Sequence, residues 1–109
     1  MKIVRLENFT KGWIIGDFEP NIIKTKEFEF AIHHHKKGEK GEIHIHKVAE
    51  EITVVISGSF KMNNTVVNPG DIIQLKPGEA MGFHCLADAV IAVIKIPSII
   101  GDKYAVNNG

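Results

Sequence analysis

The sequence predicts an all-β domain of the sandwich or closed-barrel kind, and three observations predict it. Alternating and short apolar runs recur along the chain, while helical periodicity is hard to find. The runs are rich in Ile, Val, Phe and Thr, which suit a pleated surface. Turn signals separate them: Ser57-Gly58-Ser59, Asn63-Asn64, Asn68-Pro69-Gly70-Asp71 and Lys76-Pro77-Gly78-Glu79. Many short strands joined by such turns close most readily into a two-layered or barrel structure.

The candidate strands follow in order. They are Lys2 to Leu6, Gly12 to Asp17, Glu27 to His35, Ile43 to His46 and Glu51 to Ser57, then Phe60 to Asn63, Asp71 to Leu75, Met81 to Cys85 and Ala89 to Ile96. A turn of helix is expected only near Asn8 to Lys11 and in the C-terminal tail. With 109 residues, no internal repeat and no low-complexity linker, positions 1–109 are expected to form one domain.

Strand alternation assigns faces. In Glu27 to His35, Phe28, Phe30, Ile32 and His34 share one face, while Glu27, Glu29, His33 and His35 share the other. The aromatic face is expected to point inward. That reading puts His34 at the interior or its mouth and sends His33 and His35 outward.

Composition narrows the function. Thirteen basic residues balance thirteen acidic ones, so no net field favours nucleic acid or an anionic membrane. No apolar run approaches the length of a membrane-spanning helix. Met1-Lys2-Ile3-Val4-Arg5 reaches a charge before any long apolar run, so no signal peptide is expected. Cys85 is the single cysteine, which fits a reducing, cytoplasmic setting. It has no basic neighbour in sequence to lower its pKa, and so is not read as a nucleophile.

The residues that carry chemistry lie mid-chain. His44 and His46 stand two apart on a strand, so their imidazoles leave the same face. A short connection leads to Glu51, and a hairpin there returns its carboxylate beside them. Two neutral imidazoles and a carboxylate suit Fe, Mn, Ni, Zn or Cu, and three protein ligands leave coordination positions open. Glu51 alternates with Thr53 and Val55, whereas Glu50 falls on the other face and reads as a solvated charge.

These residues also carry a family resemblance. Gly38, then five residues, His44-Ile45-His46, four residues, Glu51, six residues and Gly58 together resemble the first motif of the cupin superfamily in every fixed position. The segment Gly70 to Met81 is similar to the second motif. There Gly70 and Gly78 match, Lys76 replaces the motif proline, and Met81 stands where a fourth ligand, a histidine, is usual. Cys85 holds the motif asparagine position. The resemblance spans about residues 27–96. It implies a double-stranded β-helix, or jelly-roll barrel, often dimeric, with a divalent metal in its mouth.

Met81 leaves alternatives open. His44, His46 and Glu51 hold a metal with water completing the shell, or His34 supplies the missing ligand, or the site is a metal-free pocket. His84 is set against Met81 by alternation and is the weaker substitute. Met81, Phe83 and Cys85 are expected to line the pocket. Two functions follow. One is a metal-binding protein, with or without metal-dependent chemistry on a small molecule. The other is a metal-free binding or sensor module for a sugar-like ligand, or a metal-free isomerase using His44 or His46 as base. A homodimer is expected for so short a chain, with the N-terminal strand as a candidate edge for exchange.

Overall fold

In a computed structural model, which describes residues 1–106, the chain is all-β apart from two 3₁₀ turns, Leu6–Asn8 and Thr10–Gly12. Nine strands follow: β1 Trp13–Gly16, β2 Ile23–Lys24, β3 Glu29–His35, β4 Lys40–Ile45, β5 Glu50–Met62, β6 Thr65–Val67, β7 Ile72–Leu75, β8 Met81–Ile96 and β9 Tyr104–Ala105. β8 is the spine. One edge pairs with β5 along nearly all its length, and the other pairs with β3 and then β4, all antiparallel. β1 and β2 extend the sheet beyond β3, β9 beyond β4, and β6 and β7 pair with β5.

The β5–β8 ribbon turns the sheet into a barrel because its register shifts between Val55 and Ser57, Ser57 and Ser59, and Ser59 and Phe60. Such bulges bend and twist a strand pair. Gly58 sits at the bend with φ +77°, and a Cβ there would lie 2.2 Å from the Asp88 carbonyl oxygen. Only glycine fits both the angle and the space. This is why two expected strands, Glu51 to Ser57 and Phe60 to Asn63, are one: the glycine turn residues mark a bulge inside β5. Met81 to Cys85 and Ala89 to Ile96 likewise join as β8. The expected Lys2 to Leu6 strand does not form; Val4, Arg5 and Leu6 instead line the mouth of a cavity. The helical turn expected near Asn8 to Lys11 is present as 3₁₀ structure. In the C-terminal tail β9 forms where helix was allowed, and residues 107–109 lie outside the described residues.

Hydrophobic burial fills only part of the barrel. Val55, Phe60, Met62, Val67, Cys85 and Ala89 form the packed core, with Ile73, Met81, Phe83 and Ile91 against it. A fully buried side chain of this size contributes about 1.5–3 kcal/mol. Elsewhere the inner wall borders a cavity of about 1070 Å³. The inner face of β3 is therefore Glu29, Ala31, His33 and His35, not the aromatic face expected from sequence. Ala31 is fully buried and pairs across to Trp13, while Phe28, Phe30 and Ile32 lie on the outer face, partly covered. The rule that apolar faces point inward fails here because this wall lines an open cavity of mixed polar and apolar character rather than a dry core.

Candidate metal and small-molecule site

His44, Glu51 and Met81 line one cavity, and His46, just past the end of β4, packs its ring beside His44 without lining it. His44 and His46 are buried, as is Glu51, which shares its face with the buried Thr53 and Val55. Glu50 points the other way, to Gln74 and to Lys76, whose ammonium lies 3.3 Å from it, as its solvated role requires. Asp102 fixes the connection between the strands. Its carboxylate accepts from the N–H groups of Lys47 (2.9 Å), Val48 (3.2 Å) and Ala49 (2.9 Å). Burial pushes that carboxyl up, but the three backbone donors and the nearby His46 bring it below its ordinary value.

The imidazoles are held neutral. Burial lowers the His44 pKa, and it lowers His46 to about 4, with Lys95 adding to the effect. His44 Nδ1 lies 3.0 Å from the Glu42 carbonyl oxygen. A carbonyl only accepts, so Nδ1 carries the hydrogen and Nε2 keeps its lone pair. The two rings stand 5.1 Å apart between centroids. Burial raises the Glu51 carboxyl, opposed in part by Lys95 and Lys103. His46 Nε2 and Glu51 Oε2 are buried with no hydrogen-bond partner.

That pair of orphaned atoms bears on the implied metal. Leaving a buried polar atom unsatisfied costs about 1–3 kcal/mol, so natural structures rarely keep one without use. Among the described residues no three His, Cys, Asp or Glu side chains stand together as a finished ligand cage. The donor chemistry nevertheless suits a divalent transition metal: neutral imidazole nitrogens, the Glu42 carbonyl fixing the tautomer of one of them, and a buried carboxylate.

The remaining expected residues divide. Met81 is the direct cross-strand partner of His44 and lines the cavity, as does Phe83. Cys85 does not. It is fully buried in the core, its thiol donating to the Ala87 carbonyl at 3.0 Å. His34 borders the cavity edge but alternates to the outer face and is exposed, so it is not brought among the ligands. His84 pairs with Lys40 and Lys61, away from the Met81 face.

Sequence reasoning missed the opposite wall. His33 and His35 face the cavity, their rings tilted at 55° with centroids 5.7 Å apart. His33 packs edge-on to Trp13, and its Nδ1 lies 2.6 Å from the Lys11 carbonyl oxygen. Burial lowers its pKa, and that hydrogen bond only partly offsets the effect. His35 packs against Phe60 and Phe83, and its Nδ1 lies 2.7 Å from Glu39 Oε2. Lys95 and Lys103 add ammonium groups to the cavity lining. The signal available in sequence was the His-x-His spacing of 33 and 35, with Glu39 four residues after His35.

Comparison of backbones agrees with this architecture. The chain is similar to a conserved protein with a double-stranded β-helix domain from Klebsiella pneumoniae, at TM-score 0.71 and 18% identity over 96% of this chain and 91% of that one. The chain has the cupin fold. It is similar also to an RmlC-like cupin from Shewanella frigidimarina, at TM-score 0.65 and 21% identity over 70% of this chain and 71% of that one. A bacterial pirin, YhhW from Escherichia coli in complex with nickel(II), matches at TM-score 0.68 and 14% identity, over 81% of this chain and 39% of that one. No protein-family model matches the sequence, and no curated protein matches it either.

Proposed function

We propose that this small cupin binds a divalent transition metal through His44, His46 and Glu51, and binds a small organic molecule in the adjoining cavity. The observation that carries the reading is the pair of buried, unpartnered donors, His46 Nε2 and Glu51 Oε2. The nickel complex of the similarly folded pirin supports it by analogy. A bound metal supplies Lewis acidity toward an oxygen of the small molecule. The chain's own contribution is to keep both imidazoles deprotonated, to fix the His44 tautomer through Glu42, and to exclude water with Met81 and Phe83.

Elemental analysis of untagged protein tests this. After exposure to Fe, Mn, Ni, Zn or Cu and desalting, about one equivalent of one metal is expected, lost in Glu51→Gln and His46→Gln. Less than about a tenth of an equivalent with every metal overturns the reading.

A second reading is metal-free binding of a sugar-like ligand. It is favoured by the absence of a finished ligand cage among the described residues, and by an aromatic wall of Trp13, Phe60 and Phe83 facing Lys95 and Lys103. A ligand that raises the melting temperature equally with and without chelator selects this reading over the first.

A further inference from the structure

The wall opposite His44 and Glu51 carries a second chemical group. His35 and Glu39 stand four residues apart, at the end of β3 and the end of the connection that leads into β4, and the connection's turn brings the carboxylate back to the ring. The 2.7 Å contact joins His35 Nδ1 to Glu39 Oε2. A carboxylate only accepts, so Nδ1 carries a hydrogen, and in the neutral ring Nε2 is the lone-pair nitrogen. The imidazole is clamped between Phe60, at 5.6 Å, and Phe83, at 4.9 Å, both part of the cavity lining. A base oriented by a carboxylate and held by aromatic packing is how imidazoles are prepared for proton transfer. His33 beside it is fixed in the same tautomer by the Lys11 carbonyl, so its Nε2 is an acceptor for a hydroxyl.

We propose that His35, positioned by Glu39, is a general base that removes a proton from carbon next to a carbonyl in a small hydroxy-carbonyl compound bearing a carboxylate or phosphate. This rests on the cavity being a small-molecule site and does not require the metal. The C–H electron pair forms the carbon–carbon double bond of an enediolate, and the carbonyl π pair moves to its oxygen. The proton goes to His35 Nε2, while Nδ1–H stays donated to Glu39. Positive charge favouring the enediolate comes from Lys103 and from Lys95, whose ammonium also lies 3.7 Å from the Glu29 carboxylate. Return of that proton from His35 to the neighbouring carbon on the same face, with His33 taking the hydroxyl proton from one enediolate oxygen and passing it to the other, completes an aldose–ketose isomerisation. No oxidant or co-reactant is consumed. His33 accepts from the substrate hydroxyl and sets which carbon faces the base.

The test is deuterium incorporation from D2O, followed by proton NMR, into D-glucuronate and D-glyceraldehyde 3-phosphate, with neutral D-glyceraldehyde for comparison. The protein is assayed as purified and after chelation, with metal content read on the same samples. Exchange into at least one anionic probe is expected, and the probe that exchanges distinguishes carboxylate from phosphate. His35→Gln is expected to lower the rate by about 100-fold or more. Glu39→Gln lowers it as well, and Glu39→Asp restores part of it. Imidazole nitrogen spectra are expected to show His35 as the Nδ1–H tautomer in the native protein and a mixed state in Glu39→Gln. Exchange that survives chelation upholds this proposal even where the metal reading fails. Binding of the probes without exchange, no binding by either anionic probe, or exchange unaffected by His35→Gln overturns it.

Discussion

His46 shows what burial does to a single residue. Its ring lost water without gaining a partner for Nε2, so its pKa falls to about 4 from an ordinary value of 6.5. A histidine depressed in the folded state binds protons more readily when unfolded. The stability it contributes is complete above pH 6.5 and is lost as pH falls toward 4. Glu51 works in the opposite direction, since burial raises its carboxyl and the folded state takes up that proton sooner as the pH falls. Comparing one substitution isolates the histidine. Chelated protein is expected to lose up to about 3 kcal/mol through His46 between pH 6.5 and 4, and His46→Gln to show a correspondingly shallower decline in thermal melts. Equal slopes in the two proteins would count against a buried, neutral His46. The burial of Glu51 on the face of Thr53 and Val55, and the neighbouring rings of His44 and His46, were legible in sequence because period-two alternation fixes them. The inward turn of His33 and His35 was not, because their face was judged by the aromatic residues beside it, and those point outward.

The strands that position these residues depend on one connection. Between β4 and β5 the chain exposes three consecutive N–H groups, those of Lys47, Val48 and Ala49, and Asp102 collects all of them from 53 to 55 positions away. Hydrogen bonds to an ionised group contribute about 1.5–3 kcal/mol each, with strong sharing among neighbours. Asp102→Asn is therefore expected to lower stability by about 2–4 kcal/mol and to weaken metal retention, with His44 and His46 still present. Denaturant melts and metal analysis on the same variant check this; unchanged midpoints would show that the connection holds its shape without the carboxylate. No sequence rule pointed to Asp102, because its partners are distant in the chain and are backbone groups. The main strands were legible from their β-branched content. Short β2, β6 and β9 were not, since two or three residues carry too little pattern to stand out from loop.

For the molecule as a whole, the unexpected outward face of β3 joins a larger surface. Cross-strand register places Phe30, Ile94 and Ile52 in one row, and Ile32, Ala92, Val54 and Ile72 in the next, across β3, β8, β5 and β7. Ile72 is 68% exposed, and Ile56 and Ile96 nearby are about half exposed. An apolar face several strands wide is the kind of surface that marks a contact with another protein. We propose that a second copy packs its own apolar face against this one about a two-fold axis, the commonest arrangement for small oligomers. The first residues of the chain, by contrast, form no strand to exchange and lie at the cavity mouth. Light scattering is expected to give twice the 12.1 kDa chain mass. Ile72→Glu places a charge in the middle of the face, on a side chain that the fold itself barely buries, and is expected to return a folded monomer. A native protein that scatters as a monomer, or an Ile72→Glu variant that stays dimeric, would show that the outer sheet face is not where two copies meet.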